Sequence, residues 1–392
     1  MDDVLIIEGA RTAFGEYGGG LRDFTPAELG LACTKEALLR SGIDPQKVDN
    51  VIFGNVLQTA GDSIYLPRHI SLRAGISIEA TALIVSRICG SGLQAVVSAA
   101  KDIALGESEV SVAGGTESMS QAPVVVRGAR WGVPMGNGVL DDYMWQCFTD
   151  TYNNLIMGQT AENLAVKFGI TREEQDEFAL RSQAAAAKAQ TGGRFNREIV
   201  PLESKGKDKK AITLDEHIRP GLAMEKLAKL KARFREGGTV TPGNASGIND
   251  GAAALVLTSA RRAEKEGVKP LARVLSWAVA GVDPDIMGFG PVPAIKKALA
   301  RAGLTMDQIG LFEINEAFAA QYLAVEKALE LDRSKVNVNG GAVALGHPLG
   351  ASGARLTLTL LYEMSARNVK YGVASLCIGG GQGIAAVFEN LN

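Results

Sequence analysis

Two stretches about 260 residues apart repeat one local design. Ser91-Gly92 opens a helix-forming run, and "VAGG" follows about twenty residues later. Ser352-Gly353 opens another, and "VASLCIGGG" follows at similar spacing. Around both, apolar β-forming runs alternate with helical ones. The first series is "VLIIEG", a helix over about Pro26–Arg40, "NVIFGNVL", a short helix near Arg68–Arg73, "TALIVSRI", the helix after Cys89 and "EVSVAGG". The second is "LARVLSWAVAGV", the helix after "PVPA", "LFEINEAF", another helix, "VNVNGG", a helix from about Ser352, "GVASLCIGGG" and "IAAVFE". Strand–helix alternation with β-branched runs predicts an α/β fold of parallel strands covered on both faces. The echo predicts an internal duplication, two similar halves facing each other; chance similarity among Gly-rich α/β loops is the plainer reading. Thr25 before Pro26, with Gly42 past the end, brackets the first helix.

Residues 119–248 interrupt the alternation. "VVVRGARWGVPMGNGVLDDYMW" is loop-rich, and "TREEQDEFALRSQAAAAKAQ" is a helix with a Thr171/Glu174 capping box. The expected organisation is therefore 1–118 plus 249–268 as one half, 119–248 as an inserted loop domain, and 269–392 as the other half. Residues 181–240 hold 14 Lys/Arg against 7 Asp/Glu, whereas the whole chain is −2. A basic insert in a mildly acidic protein points to a phosphate-bearing partner. For "KGKDKK" alone, a solvated loop is the better reading. No aromatic-interleaved basic surface suggests nucleic acid.

With 392 residues, a prior of about 150 per domain allows two or three domains. No window of about 18 apolar residues suggests a membrane span. The N-terminus, "MDDVLIIEGA", has acids where a secretory signal needs positive charge, so a cytoplasmic location is expected. Cys33, Cys89, Cys147 and Cys377 are far apart with no C-x-x-C, which argues for reduced thiols and against zinc. His69, His217 and His347 are the three histidines. Any Cys–His chemistry has few partners to choose from.

Four stretches have the residue types of a reactive site. In "RICGSGLQ", Cys89 sits between a β-run and a helix start, where free N–H groups and the helix dipole lower a thiol pKa; burial alone would raise it. It is either a nucleophile or a small packing residue. In "GGAVALGHPLGASGAR", His347 lies in a loop before a helix, free to reach another side chain or simply solvated. In "LCIGGGQG", Cys377 ends a strand, and the glycines that follow form either a nest of N–H donors or a β-bulge. In "EINEAFAAQ", Asn315 and Glu316 stand at a strand-to-helix junction, where capping is the plain reading. Together they place two cysteines, a histidine and an asparagine at strand ends, where α/β sheets bind ligands.

Along nearly its whole length the sequence resembles the thiolases. The motifs are "CGSG" at Cys89, "VAGGTESMSQAP" at 112–123, "GNASGINDGAAA" at 243–254, "NEAF" at 315–318, "GGAVALGHPLGASGAR" at 340–355 and "CIGGGQG" at 377–383. The resemblance implies a duplicated five-layer α-β-α-β-α core with an inserted loop domain, and a homodimer or homotetramer. It implies CoA-dependent interconversion of a 3-ketoacyl-CoA with acetyl-CoA and a shortened acyl-CoA, with coenzyme A as co-substrate and no permanently bound cofactor or metal. By the family pattern, Cys89 is the acylated nucleophile, His347 its base, and Cys377 the group that moves the acetyl α-proton. Asn315 orients a water that, with His347, holds the thioester oxygen. The N–H groups of Cys89 and Gly379 form a second oxyanion hole. Arg219 and nearby lysines would meet the coenzyme A phosphates, and Ser246 the pantetheine arm. Met157, Met287, Phe318 and Phe234 match channel-lining positions.

One departure bears on the branch. Short-chain biosynthetic relatives usually carry a histidine before the Met-Gly that precedes "TAEN", and this chain has Ile156 there. "DSIYLPRH", "ESMSQAP" and "NEAFAAQYLAVE" look more like the 3-ketoacyl-CoA thiolases of fatty-acid oxidation. The competing readings are a ketoacyl synthase-type condensing enzyme, a non-catalytic acyl-CoA-binding protein and a Cys–His hydrolase.

Overall fold

The computed structural model describes residues 2–133, 135–136, 138–207 and 209–392. Nine strands line up in one mixed sheet. The first half supplies β1 (Val4–Arg11), β2 (Asn50–Gly54), β3 (Thr81–Val85), β4 (Val110–Ser118) and β5 (Asn249–Ser259). The second supplies β6 (Ala272–Gly281), β7 (Leu311–Ile314), β8 (Tyr371–Ile378) and β9 (Gln382–Asn390). Their spatial order is β7-β8-β9-β6-β1-β5-β4-β2-β3, and the two-residue strand Gly15–Glu16 pairs beside β5. The halves join where Leu5 meets Arg273 and Ile6 meets Ala272.

The duplication is explicit in the pairing. β1-β5-β4-β2 corresponds to β6-β9-β8-β7, antiparallel at the first two joins and parallel at the third in both halves. The expectation of parallel strands therefore holds only toward the outer edges. The apolar runs arise because helices cover both faces, which a sequence pattern cannot distinguish from parallel pairing. β3 has no full counterpart, although "VNVNGG" reads as a strand. Val336 makes a single bridge with Phe312. Asn337 then turns left-handed, at φ 47°, and its side-chain amide exchanges two hydrogen bonds with the backbone of Ile314. An amide side chain thus does what a strand's backbone would have done.

Helix α1 (Pro26–Ser41) starts on a Thr25/Glu28 capping box and ends at Gly42 in the left-handed region, φ 69°. With β1, β4 and β5 it encloses one apolar cluster, which includes Leu29, Cys33 and Val112. Helices α2 (Ser91–Leu105) and α4 (Leu349–Arg367) occupy the middle, and their Leu93, Val96, Leu356 and Leu360 pack with residues of both sheet halves. Helix α3 (Pro291–Ala302) and the helix Ala319–Leu329 cover the far side. The layers are helix, sheet, helix pair, sheet, helix.

The helix pair has almost no side chain at its closest approach. A Cβ on Gly92 would stand 2.7 Å from Ala354 N and Gly350 O, and one on Gly353 2.2 Å from Leu93 N. These are the duplicated Ser-Gly pairs. Glycine is there because the two backbones touch.

Among the described residues, 119–248 adds no strand to this sheet. Its helices Met157–Phe168 and Arg172–Thr191 contribute Ala161, Leu164 and Phe178 to the far apolar cluster, and the second starts on the expected Thr171/Glu174 box. In "KGKDKK", Lys205 pairs with Glu28 and Lys209 with Glu203; Asp208 lies outside the described residues.

Candidate active site

The turn before α2 is tight and strained. Gly90 N–H and Ser91 N–H return to the carbonyls of Arg87 and Ile88, and Ser91 Oγ accepts from Arg87 N–H at 2.8 Å. Ile88 takes φ 45°, a conformation β-branched residues avoid, and the surrounding bonds hold it there. The result is to present Cys89 between β3 and α2. Arg87 also reaches across to Gln382 Oε1 at 2.8 Å, tying this turn to the glycine turn after β8.

Cys89 lies two residues ahead of the helix's first residue and is 8% exposed. Burial pushes its thiol up to about 11, and the N–H of Gly379 pulls it part of the way back. The expectation of a thiol activated by the helix terminus is thus corrected. Desolvation disfavours the thiolate more than the terminal N–H groups favour it. Cys89 at rest is therefore a thiol, and a nucleophilic role for it would need a base.

His347 is buried in the loop before α4. Its Nδ1 lies 2.6 Å from Ser352 Oγ, whose hydroxyl lies 2.8 Å from Pro348 O. That carbonyl can only accept, so Ser352 donates to it and accepts from Nδ1–H. The tautomer follows: Nε2 bears the lone pair, and it lies 3.3 Å from Asn315 Nδ2. Burial, then the nearby Arg355 charge, push the imidazolium pKa down to about 3. A neutral imidazole whose Nε2 carries the lone pair is a base in the form required for general-base chemistry.

Cys377 ends β8, fully buried, and its thiol is pushed up by burial and by the neighbouring Cys89. It packs with Met287 and Ala317 beneath Met157 and Phe318. Gly380 and Gly381 take φ 79° and 83°, which makes the turn that leaves Gly379 N–H facing Cys89. Asn315 N–H is bound to Ser375 O at 2.9 Å, while its Oδ1 is buried without a protein partner. Glu316 is fully engaged by Ser182, Asn337 and Val343 N–H and acts as a structural brace.

A cleft of about 500 Å³ reaches His347; it shares Met119, Met144 and Leu349 with the apolar cluster around Cys89, and Met157 and Phe318 with the one around Cys377. Met157, Phe234, Ser246, Phe318, His347 and Arg219 are among the residues that line it. Phe234 meets Phe318 edge-on at 6.1 Å, and its ring lies against Gly158, where a Cβ would come within 2.3 Å of it. Arg219 also borders a smaller groove with Lys226, and neither cation has a carboxylate partner among the described residues. Met287 is placed behind Cys377 rather than on the cleft wall. Met119, Met144, Trp145, Phe148 and Ile156 add further apolar side chains to the lining. Sequence reasoning singled out Ile156 but not Met119, Met144, Trp145 or Phe148, and it missed Ser352 as the partner of His347; for Ser352 the five-residue spacing across a helix start was the available signal.

A thiol, a neutral imidazole, a second thiol and convergent N–H donors beside a long apolar cleft fit acyl transfer from a thioester. Family models for the thiolase N-terminal domain match residues 4–261, and for the thiolase C-terminal domain residues 268–390. The chain belongs to the thiolase family. This thiolase is 51% identical over 389 residues to the mitochondrial 3-ketoacyl-CoA thiolase of Homo sapiens, covering 99% of this chain and 98% of that protein. It is 50% identical to the acetyl-CoA acetyltransferase of Cupriavidus necator, over 99% of this chain and 100% of that one. The crystal structure of the human mitochondrial 3-ketoacyl-CoA thiolase in complex with CoA superposes with a TM-score of 0.97 at 50% identity, covering 99% and 98% of the two chains. The thiolase is accordingly an acyltransferase that uses coenzyme A as a substrate and interconverts 3-ketoacyl-CoA with acetyl-CoA and a shortened acyl-CoA. The synthase, hydrolase and non-catalytic readings fall with the family match. No helix among the described residues is long and apolar enough to cross a membrane.

Proposed function

We propose that this thiolase works in the degradative direction of fatty-acid β-oxidation, cleaving 3-ketoacyl-CoA substrates longer than acetoacetyl-CoA. The observation that carries this is the set of apolar side chains in the cleft lining, Met119, Met144, Trp145, Phe148 and Ile156. A polar imidazole in place of Ile156 would cost desolvation against an alkyl chain; isoleucine adds apolar contact instead.

In the proposed cycle the 3-ketoacyl thioester enters with its oxygen toward His347 and Asn315. Cys89 attacks the 3-keto carbon as His347 Nε2 takes its proton. The N–H groups of Cys89 and Gly379 receive the oxyanion, by analogy worth roughly 3–4 kcal/mol per donor. Carbon–carbon cleavage leaves an acetyl-CoA enolate, which Cys377 protonates at the α-carbon. The proton held on His347 passes to the Cys377 thiolate; coenzyme A then enters, and His347 takes its thiol proton and delivers it to the Cys89 sulfur as the acyl group leaves as a shortened acyl-CoA. Two half-reactions through one acyl-cysteine give ping-pong kinetics. Residues 119–248 form the coenzyme A-binding segment in this reading. Arg219 and Lys226 serve the phosphates, Ser246 the pantetheine arm, and Phe234, Phe318, Met157 and, from behind, Met287 the channel.

A cytoplasmic homodimer or homotetramer is part of the same proposal. Edge strand β3 exposes Leu83, and the segment 124–140 exposes Val124, Trp131, Val139 and Leu140, apolar surface suited to a second copy. The test is CoA-dependent thiolysis from acetoacetyl-CoA to long-chain 3-ketoacyl-CoA, followed by loss of the Mg²⁺–enolate absorbance. A kcat/KM maximum at medium chains supports the proposal. A maximum at acetoacetyl-CoA overturns it and places the enzyme with the acetyl-CoA acetyltransferases.

A further inference from the structure

His347 belongs to the second half, but much of what holds its loop comes from the first. Glu117, at the end of β4, is completely buried and forms no ion pair among the described residues. Its Oε1 accepts from Asn55 Nδ2 at 2.9 Å and Leu57 N–H at 3.0 Å. Its Oε2 accepts from Val56 N–H at 3.1 Å and Gly350 N–H at 2.8 Å. Leu57 packs in the same small cluster as Cys89 and Leu349. One carboxylate thus binds the wall of the Cys89 pocket and the residue three beyond His347.

Asn249, at the start of β5, holds the other side. Its Oδ1 accepts from His347 N–H at 3.0 Å, and its Nδ2 donates to Gly15 O at 2.9 Å. Gly346, at φ 95°, lies flat on that amide; a Cβ there would come within 2.3 Å of Asn249 Cγ. The two side chains stand on neighbouring strands, since Glu117 is paired with Gly251.

We infer that Glu117 and Asn249 are positioning residues for His347: they grip the loop 346–350 on both sides and set where the imidazole stands relative to Cys89. This rests on His347 being the base for Cys89. Glutamate is required at 117 because only a carboxylate offers two oxygens to four donors. In Glu117→Gln, an NH₂ group faces two of the N–H donors and must turn away, which releases Gly350 or the 55–57 turn. Misplacement of a reacting group by about 1 Å costs on the order of 10²-fold.

The experiment is a double-mutant cycle. Cys89 alkylation by iodoacetamide and steady-state thiolysis of acetoacetyl-CoA are measured for the wild type, Glu117→Gln, Asn249→Ala and His347→Ala, and for Glu117→Gln and Asn249→Ala each combined with His347→Ala. Expected are a roughly tenfold to hundredfold fall in kcat and in alkylation rate for Glu117→Gln and for Asn249→Ala, with KM for coenzyme A within about twofold. In the His347→Ala background neither substitution slows alkylation further. A further loss of similar size there overturns the inference, because Glu117 and Asn249 would then be supporting the fold or the Cys89 pocket directly. Wild-type rates in both single variants overturn it as well. Unchanged alkylation in His347→Ala alone instead removes His347 as the base, and the inference falls with that reading. Should Glu117→Gln fail to fold, Asn249→Ala carries the same cycle.

Discussion

Replacing Gly353 by alanine puts a methyl group 2.2 Å from Leu93 N, 2.9 Å from Leu93 Cβ and 3.0 Å from Leu93 Cα. Ordinary contact begins near 3.4 Å, so the shortfall is about 1.2 Å against backbone, which cannot rotate away. α2 and α4 must separate by about that distance. Overpacking of this kind costs about 1–3 kcal/mol, occasionally more. The separation also reaches the chemistry, because Cys89 stands just before α2 and His347 just before α4. A displacement of that order lowers kcat on the order of 10²-fold, while the coenzyme A side of the cleft is untouched and KM for coenzyme A holds. Urea unfolding and steady-state thiolysis read the two effects. Gly61→Ala is the control: nothing lies within 4 Å of its Cβ position, so its stability should stay within about 0.5 kcal/mol of wild type. If Gly353→Ala is also within that margin and keeps its kcat, the helix contact does not set the site geometry and the reasoning fails.

Cys89→Ala should abolish turnover, and retention of more than a few per cent would remove Cys89 from its role. Cys377→Ala should leave Cys89 acylable by acetyl-CoA, seen by intact mass, but block carbon–carbon cleavage; loss of acylation too would mean the roles are not separable. His347 has its pKa lowered from 6.5 to about 3 by burial, so its contribution to stability is complete above pH 6.5 and is lost as pH falls toward 3. His347→Gln should flatten the stability–pH curve in that window, and an unchanged acid limb would show that other groups govern it. Arg219→Ala should raise KM for coenzyme A severalfold and weaken its dependence on ionic strength, leaving kcat near wild type; an unchanged salt dependence would place the phosphates elsewhere.

Much of the site was legible because its parts are punctuation. Cys89, Asn315, His347 and Cys377 each stand beside a glycine or a helix start, where the chain changes direction. The duplicated Ser-Gly pairs showed up for a related reason, since two backbones in contact tolerate no side chain. What stayed hidden depends on distance across the fold. Burial at Cys89 reverses the effect of the helix start two residues away, and local sequence does not report burial. Glu117 and Asn249 look like ordinary polar residues at strand ends until the second half folds over them. Strand direction was misread for a similar reason: β5 enters the sheet only after the long insert, and its apolar run says nothing of which way its neighbours point. At "VNVNGG" the composition of a strand is present, but Asn337 prefers to bond through its side chain.

The position of β5 also has a consequence for synthesis. It lies between β1 and β4, yet about 130 residues separate it from the end of β4. At about 5–20 residues per second, a nascent chain waits on the order of ten seconds with the centre of its first sheet unfilled. During that interval the apolar edges of β1 and β4 are open and the thiol of Cys89 lacks its imidazole. Because His347 and α4 emerge later still, a Cys89 thiol that relies on that imidazole, as proposed above, stays unassisted until the second half has been synthesised.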